Sequence, residues 1–535
     1  MPGGGFFSGS PAEIPVDEHW KNAEKGRVPR TYSDRSPVRA RWLSVVRRHR
    51  IRTIPQLIPL MTNRRSFLKK TGAGLAAGAL GFPSILHAQN KGDKLKIGLI
   101  ASGGKGGSHI NQIVGAGDIV TAFCDVDKNA WGGATKHWAD AKGYQDYRQL
   151  FDKEMKNFDA VMIATPDHHH FMPTVLAMQG GKHCYTQKPL THTVWEARQL
   201  HQGVQKLKLA TQMGNQGHSN NGNRRIYEFV NSGMLGDVTE IHCFSNRPIW
   251  PQGLERPAGE DEVPGNLDWD IWLGPAPKRP YKKDVYHAFN WRGWYDFGGG
   301  ALADMACHTM DSIFMSMHPG YPTSVEVLEI NGHTTETFPK GSIIKWSYAA
   351  GKLPNGKDRP AFDVYWYDGK LKNDKGEDVP AADVALTKIS KELLTGADGN
   401  LIRLPQSGNV YVGSKNSLLV TGDYGDSSRI IPASKGEGAG PPPKLLERIG
   451  KGGEQDHYND WRVACVGEKP WDHPGSNFTY AAPFTETILL GNVALHVGKG
   501  QKLEWDAANM KFTNSEEANK YTNKEYREGW GIKLV

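Results

Sequence analysis

Asp304 and His308 stand four residues apart, six and ten positions after Gly298, which opens a run of three glycines. On a helix that spacing puts both side chains on one face, where a carboxylate can orient an imidazole and stabilise its charged form. Proton transfer is the chemistry such a pair can perform. Alone, the pattern equally describes a polar stripe on a solvated helix, so companions are needed. Lys188, followed by Pro189, is a candidate: an ammonium can stabilise negative charge that develops on an oxygen. His308 is the better base, because an imidazole titrates near ~6.5 and works around neutrality. Asp304 would then orient His308 or bind a neighbouring hydroxyl.

Alcohol oxidation also needs somewhere for the hydride to go. The segment Ala101-Ser102-Gly103-Gly104-Lys105-Gly106-Gly107 follows an apolar run at 95–100. Against the pattern G-x-G-x-x-G it has Gly103 and Gly106 in place and Ala101 where the first glycine belongs. Glycines there let backbone amides approach a pyrophosphate at a helix N-terminus. Asp125 closes the next apolar run, about 20 residues on, where a carboxylate accepts from ribose hydroxyls and repels an extra phosphate. Together they favour NAD over NADP.

These groups must be positioned by something, and the chain alternates in a way that suggests what. Apolar runs at 95–100, 119–123 and 159–164 are separated by helical stretches, with further helices at 173–179 and 195–206; this is the signature of βαβ units and a parallel sheet. A doubly wound domain is expected over residues 91–214. Beyond it the texture becomes strand-rich, at 238–245, 324–330, 343–348, 362–367 and 410–420, predicting a second, largely antiparallel domain over 215–535. Residues 351–360, 368–380 and 433–444 read as surface loops.

Two more segments complete the set: Thr165-Pro166-Asp167-His168-His169-His170, and Gly181-Lys182-His183 followed by Lys188-Pro189. With the glycine turn and Gly-Gly-x-Leu-x-Asp304-x-x-x-His308, they resemble the Gfo/Idh/MocA oxidoreductase family in order over about residues 94–330. The resemblance implies an α/β protein: an NAD(P)-binding Rossmann domain with a doubly wound parallel sheet, joined to an α/β domain with a large, open, mostly antiparallel sheet. It places the family's catalytic residues on Lys188, Asp304 and His308. It places the cofactor against Ser102, Gly103, Gly104, Lys105, Gly106, Asp125, Thr165, Pro166, His168, His170 and Lys188, and it implies a homo-oligomer paired through the open sheet. Two departures stand out: Gln187 where the family has Glu before Lys-Pro, and Ala101 in the fingerprint. The three histidines lack a carboxylate or cysteine to complete a metal set, so no metal is expected.

Aromatic residues interleaved with polar ones at 268–275 and 286–295 suit the apolar faces and hydroxyls of a sugar. His287, Trp291 and Arg292 are candidate substrate contacts, as are Asn215 and Gln216, with His457 a weaker candidate.

The formal charge of +8 could suggest a nucleic-acid partner, but residues 1–60 carry +6 and residues 61–90 carry +4, leaving −2 on the body. The electrostatic case for nucleic acid is therefore absent. Residues 61–90 read as a secretory signal whose Arg64-Arg65-Ser66-Phe67-Leu68-Lys69 core resembles the twin-arginine type, with cleavage near Ala88. Export by the twin-arginine machinery to the periplasm follows, and residues 1–60 are expected to be an over-extended or disordered start. Five scattered cysteines make no disulfide framework. The expected activity is NAD-dependent oxidation or reduction of a sugar or glycoside, with a tightly held cofactor. The alternatives are glycoside cleavage through transient oxidation and a non-catalytic sugar-binding role.

Overall fold

The computed structural model describes residues 94–396, 398–436 and 439–534; the readings on residues 1–60 and 61–90 lie outside them. Two sheets organise the protein. The first is six-stranded, in the order β3-β2-β1-β4-β5-β6, built from β1 (Lys96–Ile100), β2 (Ile119–Cys124), β3 (Lys142–Tyr144), β4 (Ala160–Ile163), β5 (His183–Thr186) and β6 (Thr211–Met213). All five pairings are parallel. Its central strands β1, β2 and β4 are mostly apolar because both faces are covered. Helix α1 (Lys105–Ala116) ends at Gly117, which takes a left-handed conformation at φ 75°. Helix α2 (Val194–Leu207) starts with a reciprocal capping box between Thr193 and Glu196.

The second sheet has ten strands: β7 (Val238–Ser245), β8 (Ser324–Asn331), β9 (Gly341–Tyr348), β10 (Phe362–Lys372), β11 (Asp378–Pro380), β12 (Gly408–Gly413), β13 (Ser417–Thr421), β14 (Ser427–Ile431), β15 (Leu503–Asp506) and β16 (Lys511–Phe512). They lie in the order β14-β13-β12-β7-β10-β9-β8-β15-β16, with β11 beside β10. The β7–β10 pair is parallel and the others antiparallel. The run at 410–420 is a hairpin and not one strand: the three residues between Gly413 and Ser417 reverse the chain, and Asn416 Nδ2 donates to Met234 O at 2.7 Å to hold the turn. The expected loops also carry pairing. Residues 351–360 include a two-stranded ribbon, 368–380 hold the end of β10 and all of β11, and 433–444 begin with a helical turn, Ala433–Gly436.

Four further helices matter to the site. α3 (Gly300–Thr309) carries Asp304 and His308. α4 (Ala381–Lys388) packs Ala381 and Ala385 on the outer face of the second sheet against Tyr367, Leu371 and Val410. α5 (Glu454–Cys465) returns to the first sheet, where Tyr458, Trp461, Ala464 and Cys465 share one core with Leu95, Ile97 and Leu99 of β1 and its approach. Buried Asp118 fastens it, accepting from Tyr458 Oη at 2.8 Å, Arg462 Nε at 2.7 Å and Leu95 N at 2.8 Å. α6 (Phe478–Val497) is apolar all round and buried along most of its length, as a central helix must be. It packs on both α2 and α3, and Glu486 pairs with Arg198 at 2.6 Å. Among the described residues no helix is long and apolar enough to cross a membrane.

Candidate active site

A cavity of about 690 Å³ opens between the C-terminal ends of the parallel strands and the second domain, where ligands of open α/β sheets bind. Lys188 enters it two residues after β5. Its Nζ donates to Asp304 Oδ1 at 2.7 Å and to Asp304 O at 3.0 Å. Arg292 Nε donates to the same Oδ1 at 3.3 Å. Burial works against the Asp304 charge, but Lys188 and Arg292 outweigh it and hold the carboxyl down to about 2.

This differs from the expected Asp304–His308 pair. A shared helix face does not decide a contact when two cations from elsewhere compete for the carboxylate. His308 is 4% exposed and makes no hydrogen bond to Asp304; its Nδ1 is buried without a partner among the described residues. Its ring meets Tyr424 edge-on at 4.7 Å. Burial first, then the nearby Lys188 charge, pushes His308 well below the usual imidazole range. It therefore stands neutral at pH 7, with a lone pair to accept a proton.

The glycines before α3 are clamped. Gly299 N donates to Asp167 Oδ2 at 2.9 Å, Asn492 Nδ2 donates to Gly299 O at 3.1 Å, and His192 Nε2 lies 3.1 Å from Gly298 O. Gly300 has φ 65°, and a Cβ there would fall 2.5 Å from the Phe338 ring. Asp167 is buried, which foremost raises its carboxyl to about 7; Asp304 adds to the rise, while Arg292 and Lys188 oppose it.

On the other side of the cavity lie Gly103, Gly104, Lys105, Asp125, Thr165, Pro166 and His170. No side chain caps α1; Gly106 N and Gly107 N donate to Gly103 O and Gly104 O, which leaves the Gly104 and Lys105 amides for an anion. Thr165 Oγ1 is buried in the cavity wall without a partner among the described residues. Unpartnered buried atoms at Thr165 and His308, with the uncapped helix, fit a polar dinucleotide and its substrate. Asp125 Oδ2 accepts from Ser102 N at 2.9 Å and Gly103 N at 3.0 Å, so it also braces the turn. Lys105 forms an ion pair with Glu454 of α5. Ala101 adopts φ 69°, the left-handed conformation that the missing glycine would take without strain.

Several expected contacts fall elsewhere. Ser102 and Gly106 do not line the cavity; a Cβ on Gly106 would lie 2.2 Å from Ala101 O, so that glycine serves close packing. His168 is buried behind the wall, its ring nitrogens 3.1 Å from Phe297 O and 3.1 Å from Trp272 O. Asn215 is buried too, its Oδ1 accepting from Ser476 Oγ at 2.6 Å. His457 lies in the core, 2.8 Å from Met213 O. His287 lines the cavity but on its Asp125 side, 3.3 Å from Asp127 Oδ2, which makes it a neighbour of the cofactor turn more than of His308. Gln216, Trp291 and Arg292 do face the second-domain end. That end also includes Arg247, Trp250, Phe289 and Tyr424, which sequence reasoning did not single out. Trp250 and Tyr424 carry no local signal, because sheet topology alone brings them to α3.

Fold and site together define a dinucleotide-dependent oxidoreductase architecture. A family model described as the NAD-binding Rossmann fold of the GFO_IDH_MocA oxidoreductase family matches residues 95–215, and its C-terminal alpha/beta domain matches residues 220–388. Together these span more than half of the 535 residues. The chain belongs to the Gfo/Idh/MocA oxidoreductase family. It is 27% identical over 152 residues to an inositol 2-dehydrogenase of Salmonella typhimurium, covering 28% of this chain and 45% of that one. It is 33% identical over 162 residues to a glycosyl hydrolase family 109 protein of Shewanella amazonensis, covering 25% and 35%. The chain thus spans less than half the length of these relatives. The WlbA dehydrogenase of Chromobacterium violaceum, solved with NADH and UDP-GlcNAcA, shares the fold at a TM-score of 0.53 and 15% identity, over 79% of this chain and 99% of that one.

Proposed function

We propose that this protein moves a hydride between NAD and a hydroxyl- or carbonyl-bearing carbon of a sugar or glycoside. The observation that carries the reading is a neutral, unpartnered His308 beside the Lys188–Asp304–Arg292 cluster, in a cavity that continues to the glycine turn. When bound, NAD supplies the hydride acceptor. The amides of Gly104 and Lys105 and the carboxylate of Asp125 would hold it.

His308 accepts the hydroxyl proton as the alcohol is oxidised. Lys188 stabilises the negative charge that grows on the same oxygen, and Asp304 fixes the direction in which Lys188 donates. Arg292 gives the Asp304 carboxylate a second cationic partner. The likeness to an inositol 2-dehydrogenase supports a polyol or sugar substrate. Two measurements test the reading: denatured protein should release a dinucleotide, and His308→Ala should lose about 100-fold or more in turnover. If wild type neither carries nor binds NAD, the proposal is lost.

A second reading is glycoside cleavage. Oxidation of a ring hydroxyl to a ketone acidifies the adjacent C–H; loss of that proton expels the aglycone and leaves an enone, water adds across its C=C bond, and the hydride then returns to the ketone carbon. The likeness to a glycosyl hydrolase family 109 protein favours it. Cleavage of a glycoside without net reduced cofactor selects it over simple dehydrogenation. The signal reading of residues 61–90 adds export to the periplasm. There free NAD is scarce, so the cofactor would be installed before export and held through turnover. A homo-oligomer is part of the same proposal, and sedimentation velocity tests it.

A further inference from the structure

The second-domain rim of the cavity carries an apolar surface that the proton-handling cluster does not use. Ile249 is 65% exposed and Phe289 46% exposed, both at this mouth. Large apolar side chains held in water beside a cavity usually mark something that covers them. Behind them, Trp250 and Trp291 are buried in the wall. The Trp250 and Phe289 rings meet edge-on at 5.9 Å. The Arg292 guanidinium lies 4.6 Å from the Phe289 ring centre and 4.3 Å from that of Trp291, and its Nε reaches Asp304. A shelf of rings thus runs from the mouth to the Lys188–Asp304 pair.

The indole nitrogens of this shelf, and Nε and Nη1 of the neighbouring Arg292, are already engaged. Trp250 Nε1 donates to Gln252 Oε1 at 2.9 Å, Trp291 Nε1 to Ala288 O at 3.1 Å, and Arg292 Nη1 to Phe289 O at 3.2 Å. What these side chains offer outward is ring face and hydrocarbon. A second sugar unit would bring hydroxyls that need partners, whereas a flat aromatic group needs none and stacks on rings.

We infer that the shelf formed by Ile249, Trp250, Phe289 and Trp291 is a subsite for the aryl aglycone of a glycoside, whose sugar lies against His308 and Lys188. The inference rests on the sugar or glycoside reading above and narrows it: the substrate is an aryl glycoside and not a free sugar or an oligosaccharide.

The test is calorimetric binding to the cofactor-loaded full-length protein. The probes are the para-nitrophenyl glycosides, methyl glycosides and free forms of glucose, galactose and N-acetylglucosamine, in both anomers, with cellobiose and lactose alongside. For the best-bound sugar, the aryl form should bind about tenfold or more tighter than the methyl form, as expected for burying one ring. In Phe289→Ala and Ile249→Ser, each checked for native circular dichroism, that ratio should fall toward one. Overturning outcomes are equal affinities in wild type, a ratio unmoved in both variants, no binding of any aryl glycoside, or a disaccharide that binds more tightly. Reduced-nicotinamide absorbance is read separately. Aryl-selective binding without hydride transfer sinks the proposed reaction and leaves the subsite standing; hydride transfer without aryl selectivity does the reverse.

Discussion

Replacing Asp304 by Asn removes one charge from the centre of the site while keeping its shape and an acceptor oxygen. The carboxyl is held at about 2 instead of its ordinary 3.8. At ~1.4 kcal/mol for each factor of ten in acidity, its surroundings favour the ionised form by roughly 2–3 kcal/mol. The side chain is only 14% exposed, so solvent screens little of this. A carboxyl whose folded pKa is depressed contributes its stability above its unfolded pKa and loses it as pH falls through the folded value. At pH 7 the whole contribution is present. Asp304→Asn should therefore lower the unfolding free energy by about 2–3 kcal/mol in urea titrations at pH 7, and the gap should narrow below about pH 4. Turnover should fall at least about tenfold, because Lys188 loses the group that aims it. A stability loss below about 0.5 kcal/mol, or a gap as wide near pH 3 as at pH 7, would refute the view that Asp304 is held ionised by Lys188 and Arg292.

Asp167 works in the opposite sense. Its carboxyl is raised to about 7, so it stabilises below about pH 4 and progressively loses that contribution as pH climbs through 7. Asp167→Asn keeps an acceptor for Gly299 N and should gain on wild type by up to about 4 kcal/mol between pH 4 and 8; parallel pH profiles of the midpoint temperature would contradict this. Ala101→Gly should stabilise by about 0.5–1 kcal/mol, since the left-handed cost to alanine of ~1–2 kcal/mol exceeds the added freedom of the unfolded glycine; a lower urea midpoint rules it out. Asp118→Ala should cost about 3–5 kcal/mol, because it takes the acceptor away from the Leu95 amide and the Tyr458 hydroxyl and one carboxylate away from Arg462. A loss under about 1 kcal/mol would mean that α5 is held by its apolar contacts alone.

The parallel half of the fold was legible because strands buried on both faces are written as unbroken apolar runs, and 95–100, 119–123 and 159–164 are such runs. The central strands of the second sheet, β7 to β10 and the β12–β13 run, were legible, but neither its turns nor the short strands β11, β14, β15 and β16 were. Residues 410–420 read as one strand because only a short polar turn divides two apolar segments, and no Asn-Gly or Asp-Gly pair announces it. Asp304 and His308 could be singled out because their residue types carry chemistry at a helical spacing, whereas Lys188 was found through the family resemblance of the Lys-Pro segment. The partner of Asp304 was not legible. Spacing reports which side chains share a face, and Lys188 and Arg292 come from outside that face. His168 illustrates the same limit: three consecutive histidines differ only in where the turn aims them, and His168 is aimed at two carbonyls of the second domain. Tyr424 reaches His308 through the β13–β14 turn, a proximity created by the order of the strands.

The return of α5 to the first sheet has a consequence for how the chain is made. Ile97 and Leu99 bury one face against α1, but Tyr185 and Ala210 on that same face wait for Tyr458, Trp461 and Ala464. About 250 residues separate Trp461 from the last strand of that sheet. At roughly 5–20 residues per second of synthesis, the first half emerges from the ribosome tens of seconds before the helix that finishes its core. During that interval an apolar patch over β5 and β6 is bare, and a nascent chain released at residue 215 would keep it. The dinucleotide gains its complete cleft, which Glu454 of α5 helps to line, only after the far end of the sequence has arrived.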